Sequence, residues 1–175
     1  MKPGSRLPAV LIVLIALALP CHALAQLSDA ALAERVADAV MRHPTFGIFD
    51  DVNVEVDNRA VRLTGRVTTS IKRETIGDRA AKVDGVRTIS NEIQVLPNSP
   101  LDARLRTKVA QTIYGHPSFW RYASMANPPI HIIVENGHIT LTGCVNNDVE
   151  KTLAFALAQV EGALGVKSEL RVEKR

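Results

Sequence analysis

Histidine, cysteine and carboxylate side chains are the groups in this 175-residue chain that could catalyse a reaction or bind a metal. His131 and His138 flank Glu135, and Asn136-Gly137 between them predicts a two-residue hairpin turn. In such a hairpin Glu135 faces His138, whereas His131 lies further along its strand, about 13 Å away. One metal ion cannot bind both imidazoles. We therefore predict no metal site, and we interpret Glu135 and His138 as a cross-strand pair on the surface face of a sheet.

The remaining reactive groups also have structural interpretations. His43 and His116 each precede a proline, and a histidine in the last turn of a helix interacts favourably with the negative end of the helix dipole. Cys144 has no basic neighbour in the sequence that would lower the pKa of its thiol. We interpret it as an incidental, half-buried residue, and an intermolecular disulfide stays open as the alternative.

Sequence motifs of the common enzyme classes are absent. The chain contains no Ser-His-Asp signature, no glycine-rich phosphate loop, no HExxH and no paired cysteines at metal-binding spacing. The sequence therefore predicts a protein that is not an enzyme, with no cofactor and no small-molecule substrate.

One aromatic segment, residues 119–129, holds the single tryptophan of the chain and one of its two tyrosines. Aromatic side chains with polar tips beside an arginine are suited to a membrane interface or a protein contact. The alternative is that these aromatics close a small core, and for Trp120 and Tyr122 the two interpretations are equally supported. The candidate binding residues in this segment are Trp120, Arg121, Tyr122 and Met125.

An internal repeat organises the chain. Residues 43–46, His-Pro-Thr-Phe, return as His-Pro-Ser-Phe 73 residues later at 116–119. Residues 61–67 return at 139–145 with a shift of 78, so the second copy carries five extra residues between the two blocks. Two further blocks match at a shift of 77. Preserved order and spacing across four blocks indicate a duplicated structural unit.

Each copy is predicted to fold as α-β-β-α-β, an α+β sandwich in which a small mixed three-stranded sheet buries one face under two helices. Asp29 is the predicted cap of the first helix, and the second helices are expected over 68–84 and 147–161. The last strands are expected over 86–95 and 166–172. Asn136-Gly137 favours a type I′ turn, while Asn58-Arg59 is the weaker signal because it lacks the glycine. Glycine is expected at turns and caps at Gly65, Gly85, Gly137, Gly143 and Gly162.

The first 25 residues are typical of an export signal. Lys2 and Arg6 precede an apolar run, and Ala23-Leu24-Ala25 predicts cleavage after Ala25. Cys21 suggests a lipoprotein alternative, which Pro20 directly before it disfavours. The expected organisation is a signal peptide at 1–25, a first domain at 26–97, a linker at 98–100 and a second domain at 101–175.

The formal net charge narrows the classes of possible partner. Residues 26–175 hold 19 basic and 18 acidic residues, a formal balance of +1, because two of the 21 basic residues lie in the signal. A nearly neutral protein lacks the electrostatic attraction on which nucleic-acid binding depends. The sequence therefore predicts a partner other than nucleic acid.

The pattern of blocks resembles the BON domain family, whose units carry a glycine after the second strand and a Gly-Val pair before the last. Gly65 and Gly85-Val86 occupy these places in the first copy; Gly143 and Gly162 do so in the second, where Ala163 replaces the valine. The resemblance implies a periplasmic or envelope-associated module that associates with phospholipid and supports envelope integrity under stress. It implies no catalytic residues. The alternative function is a periplasmic adaptor or stabiliser that binds an envelope protein.

Overall fold

The computed structural model describes residues 28–173. The predicted signal peptide, its cleavage after Ala25 and the lipoprotein alternative at Cys21 lie outside the described residues. Within them, the chain forms two units of the same architecture, each with its own apolar core.

The first unit contains two helices and a small sheet. Helix α1 (Asp29–Met41) is followed by the hairpin β1 (Asp51–Asp57) and β2 (Ala60–Val67). Helix α2 (Ser70–Ala81) then leads into two short strands, β3 (Thr88–Asn91) and β4 (Gln94–Val95).

The second unit repeats this order and adds a short insertion. Helix α3 (Pro100–Tyr114) is followed by a 3-10 turn (Pro117–Phe119) and the four-residue helix α4 (Trp120–Ala123). The hairpin consists of β5 (Ile130–Glu135) and β6 (His138–Val145). Helix α5 (Asp148–Leu157) precedes β7 (Gly165–Ser168) and β8 (Arg171–Val172).

Both sheets share one topology. The central strand β2 pairs antiparallel with β1 and parallel with β3 and β4, and β6 pairs in the same way with β5, β7 and β8. The α+β class, the mixed sheets and the duplication are thus confirmed. Each last strand was expected to be continuous, but it is interrupted after Asn91 and after Ser168, which leaves two short pieces.

The helices bury one face of each sheet. In the first unit, Leu32, Val36 and Val40 of α1 recur at helical spacing and pack on the alternating Val61 and Leu63 of β2. The second unit places Leu105, Val109 and Ile113 of α3 on Ile139 and Leu141 in the same arrangement.

The ends of the second helices differ from the expectation. Helices α2 and α5 end at Ala81 and Leu157, several residues before Gly85 and Gly162. Short-range hydrogen bonds, such as Val86 N to Val83 O, carry the chain through successive turns instead. Gly85 and Gly162 adopt φ of 107° and 95° within these turns, so they redirect the chain toward the last strand rather than stop the helix.

The start of the first helix corrects the prediction for Asp29. Ser28 is the N-cap, and its hydroxyl accepts a hydrogen bond from Ala31 N. The Asp29 carboxylate instead accepts hydrogen bonds from Asn58 N (2.7 Å) and Arg59 N (3.0 Å), the two amides of the hairpin turn. This turn has φ of 49° and 65°, so it adopts positive φ at both central residues even without a glycine.

The second unit contains the same clamp between helix and hairpin turn. Asp102, which is fully buried, accepts hydrogen bonds from Asn136 N (2.9 Å) and Gly137 N (2.8 Å). We call these two arrangements the aspartate clamps. They fix the first helix of each unit against the far end of its hairpin.

The predicted linker, 98–100, leads directly into helix α3. Ser99 is already the N-cap of α3, where its hydroxyl accepts from Asp102 N, and Pro100 is the first helical residue. Proline suits this position because an N–H at the first residue of a helix has no acceptor within the helix, so its absence in proline costs no hydrogen bond.

Glycine is required near the end of each central strand. Gly65 and Gly143 have φ of 115° and 100°, and a Cβ at Gly143 would lie 1.9 Å from the Pro129 carbonyl oxygen. The neighbouring strand can approach this closely because glycine has no side chain.

We predict that Gly143→Ala destabilises the protein by at least about 1–3 kcal/mol, because alanine is strained at this φ and its Cβ clashes with β5. Gly47→Ala is the matched control, since a Cβ there meets nothing within 4 Å. Urea unfolding monitored by circular dichroism compares the two variants. Equal midpoints would contradict the prediction.

We also predict that Asp102→Ala lowers the free energy of unfolding by about 1–3 kcal/mol for each turn amide left without a partner, and that Asp29→Ala lowers it less. The difference follows from burial, because water can reach the more open clamp of the first unit and replace the lost carboxylate. Thermal unfolding of both variants tests the order, and a larger loss for Asp29→Ala would contradict it.

Candidate functional site

The segment between α3 and β5, residues 116–129, contains the five extra residues of the second unit and presents an exposed tryptophan. We call it the inserted segment. Trp120 is 62% exposed, and its indole Nε1 donates a hydrogen bond to Gly115 O (3.1 Å), which fixes the ring against the end of α3. Arg121 is exposed beside it, and Met125 follows one helical turn later, 38% exposed. The segment therefore offers an apolar ring, a cation and a flexible thioether to a partner.

Tyr122 is placed differently from Trp120. It is 5% exposed and packs on Phe119, with ring centroids 6.0 Å apart. Its hydroxyl donates to the Glu150 carboxylate (2.6 Å) and accepts from Asn146 N (3.0 Å). Burial and the hydrogen bond to Glu150 raise the pKa of Tyr122 to about 12. Tyr122 therefore belongs to the core and cannot serve as a contact residue.

In each unit, a carboxylate accepts a hydrogen bond from the equivalent backbone amide, that of the first residue after the central strand. In the first, the fully buried Asp50 accepts hydrogen bonds from Thr68 N (3.0 Å) and Lys72 Nζ (2.7 Å). In the second, Glu150 stands at the place of Lys72 and accepts from Asn146 N (3.0 Å). The accepting carboxylate thus lies in the loop before β1 in the first unit and in α5 in the second. In the second unit the Tyr122 hydroxyl donates to it in place of the Lys72 ammonium group.

The same hydrogen bond between Tyr122 and Glu150 brings α4 against the first turn of α5. That turn carries Val149, which is 76% exposed, and the equivalent Ile71 of α2 is similarly open. We define the contact surface as Trp120, Arg121 and Met125. The helical spacing of Val149 with Leu153 and Leu157 is that of a core residue, but the structure leaves Val149 exposed.

The outer face of the second sheet is covered by the first unit. Arg66 forms an ion pair with Glu135 (3.1 Å), and the Phe46 ring packs on the His131 ring with centroids 5.6 Å apart. At the edge of the sheet, Ile132 N of β5 donates a hydrogen bond to Ile48 O (2.7 Å). Ile133 and Thr142 on this face are consequently buried. The prediction that this face is solvent-exposed was wrong there, because pairing of the two units removes it from water.

His138 and Glu135 lie opposite each other in the hairpin, as the predicted turn requires. The carboxylate of Glu135, however, pairs with Arg66, and His138 Nδ1 lies 3.2 Å from Asn136 O. The two residues are therefore neighbours across the strands, and the ion pair of Glu135 joins the two units instead.

A cleft of about 430 Å³ opens between the units beside this interface. Its floor includes His131, Thr142 and Cys144 of the second sheet, and Arg171 lies opposite Cys144 on β8. The first unit contributes the facing wall. Arg171 is 27 residues away in the sequence, and it becomes a neighbour of Cys144 only through the pairing of β6 with β8. Cys144 is a half-buried free thiol.

His43 and His116 do not lie in the last helical turns. Each follows the end of its helix, and its Nδ1 accepts a backbone hydrogen bond two residues on, from Thr45 N (3.3 Å) and Ser118 N (3.2 Å). The repeated His-Pro pair therefore starts the next turn rather than interacting with the helix dipole. Burial, with Arg79 and Lys72 nearby, lowers the pKa of His43, although Asp50 opposes the effect.

Two properties of residues 28–173 bear on the class of the protein. Within this range no cluster of three or more His, Cys, Asp or Glu side chains could hold a metal ion. No helix in the same range has the length and apolar character needed to cross a membrane.

Comparison with known families assigns both units. Residues 28–97 and 102–174 each match the family model described as BON domain. The chain therefore belongs to the BON domain family, a family of non-catalytic binding domains, and carries two copies in tandem. No curated protein matches the sequence closely enough to count as a relative.

Two solved structures show a distant likeness, both of CdsD from Chlamydia trachomatis, a structural protein of the type III secretion system. The first is its C-terminal domain, at 13% identity and a TM-score of 0.31, covering 85% of this chain and 100% of that one. The second has 15% identity and a TM-score of 0.29, covering 81% and 92%. Likeness at this level carries no argument about function.

We predict that His43 makes folding stability depend on pH. Its pKa is lowered in the folded state, so its contribution is fully present above the ordinary value of 6.5 and is lost as the pH falls toward the folded value. Melting temperatures at pH 7.5 and pH 5 should therefore differ more for the wild type than for His43→Asn, which keeps a hydrogen-bond acceptor but does not titrate. Identical pH dependence in the two proteins would contradict this.

Proposed function

We propose that this protein is an exported, envelope-associated binding module that contacts phospholipid surfaces through the contact surface of its second unit. The main observation in its support is that Trp120 is 62% exposed on an inserted segment that the first unit lacks. A tryptophan with an apolar ring and a polar N–H is suited to the boundary between headgroups and acyl chains.

The surroundings of Trp120 support this proposal. Met125 adds an exposed apolar side chain to the same segment, and Arg121 places a cation where it can meet lipid phosphate. Because the indole is held by Gly115 O and the segment is anchored through Tyr122, the surface is preorganised and little conformational entropy is lost on contact. The near-neutral balance of residues 26–175 means that apolar insertion supplies most of the binding free energy.

The family and the predicted signal peptide support placement in the envelope, with a role in envelope integrity or stress tolerance. A pair of domains from a family of non-catalytic binding domains suits a protein that works by binding to a surface. The proposal therefore combines export, a binding fold and a defined contact surface.

A protein-interaction adaptor is the second candidate. The formal balance of +1 favours it, because anionic lipid would gain little from general electrostatic attraction. Crosslinking in the envelope distinguishes the two: an adaptor yields one dominant crosslinked protein whose recovery depends on Trp120, whereas a lipid-binding module does not.

We predict that Trp120→Ala weakens partitioning onto phosphatidylglycerol-containing vesicles by roughly tenfold or more, since burying a large apolar side chain is worth about 1.5–3 kcal/mol. Co-sedimentation of the purified protein with vesicles measures the effect. Leu164→Ala is the matched control, because Leu164 is 74% exposed but lies beside the hairpin turn, at the other end of β5.

The lipid proposal fails if the wild type does not sediment with vesicles, or if Leu164→Ala weakens binding as much as Trp120→Ala. Tyr122→Phe adds a structural check. It should lower stability by removing the hydrogen bond to Glu150, and it should weaken partitioning far less than Trp120→Ala does, because the indole is retained.

A further inference from the structure

The cleft between the two units contains opposite charges that no neighbour neutralises. Asp51 lines it from the first unit and Arg171 from the second, and within residues 28–173 neither side chain forms an ion pair. Glu169, at the rim, is already paired with Lys167. The cleft therefore has one free carboxylate and one free guanidinium, each contributed by a different unit.

Polar groups on the floor of the cleft also lack partners. Thr142 is 8% exposed, and its hydroxyl has no hydrogen-bond partner among the described residues. The same is true of Nδ1 of the adjacent His131. A buried polar atom without a partner costs about 1–3 kcal/mol, so a molecule that supplies one gains that free energy on binding. Rotation of Thr142 about χ1 exchanges its methyl and hydroxyl groups, which would turn the hydroxyl toward a ligand in the cleft.

The rest of the lining is apolar. Met41, Phe46 and Val52 of the first unit face Pro129 of the second across the cleft. A volume of about 430 Å³ falls within the size range of small-molecule sites, which combine apolar walls with a few polar groups that orient the ligand.

We propose that this cleft binds a small apolar zwitterion of the α-amino-acid class. Arg171 pairs with the carboxylate of the ligand, helped by the Thr142 hydroxyl once it has rotated into the cleft, and Asp51 pairs with its ammonium group. Guanidinium and carboxylate match in geometry, and the ring of Phe46 offers a face on which a cation is stabilised. The apolar side chain of the ligand lies against Met41, Val52 and Pro129. Because both units contribute, ligand binding also stabilises their relative arrangement.

The test uses Cys144 as a built-in reporter, because it lines the same cleft. The alkylation rate of Cys144 by iodoacetamide is followed by peptide mass spectrometry in the purified protein, with L-leucine, N-acetyl-L-leucine or L-leucinamide added. Leucine carries both charges and should slow alkylation several-fold. The other two each lack one charge and should protect much less. The dipeptide Leu-Leu is added to distinguish a free amino acid from a short peptide as the source of the same chemistry.

Variants assign the two charged contacts. Arg171→Gln and Asp51→Asn should each abolish protection by leucine, whereas Arg42→Gln, which changes an exposed arginine outside the cleft, should not. Amide resonances of residues 142–144 provide a second measurement that does not depend on thiol reactivity. The proposal is overturned if leucine changes neither measurement, or if all three compounds protect equally. Vesicle binding by Trp120 is independent of either result.

Discussion

The aspartate clamps are the interaction on which each unit depends. In both, a carboxylate in the first turn of the first helix accepts hydrogen bonds from both amides of the hairpin turn. Those amides point away from the sheet and would otherwise lack a protein partner. The clamp therefore joins the start of the helix to the far end of the hairpin. With that distance fixed, the helix can only pack its apolar stripe on the sheet, and the central strand takes its place between the hairpin and the last strand.

Duplication of this unit created a second structural problem, which the two copies solve unequally. Each sheet buries one face under its own helices and leaves the other open. In the second unit the open face carries Ile133 and Thr142, and the first unit covers it through Arg66 and Phe46, while the Ile48 carbonyl pairs with the edge strand β5. Coverage is incomplete where the cleft remains. The contact therefore buries Ile133 and Thr142, while Asp51 and Arg171 still line an open cleft.

The inserted segment shows how one copy diverged while keeping its fold. The segment that holds its five extra residues brings the Tyr122 hydroxyl to the half-buried amide of Asn146, which also donates to Glu150. Tyr122 thereby fills the core and donates a hydrogen bond to that carboxylate. Trp120, two residues earlier on the same short helix, is then directed outward. A structural tyrosine and an exposed tryptophan in one turn are what make the contact surface rigid.

The sequence by itself determined the duplication, the order of elements, the mixed sheets and the type I′ turn at Asn136-Gly137, because periodicity, turn chemistry and repetition are local properties. It did not separate Trp120 from Tyr122, since two aromatics in one segment have the same local signal whichever of them is buried. Nor did it reveal that Asp29 clamps a turn near residue 58, that the outer face of the second sheet is covered, or that Arg171 lies opposite Cys144. Those features join residues far apart in the chain, and only the packing of one element on another brings them together.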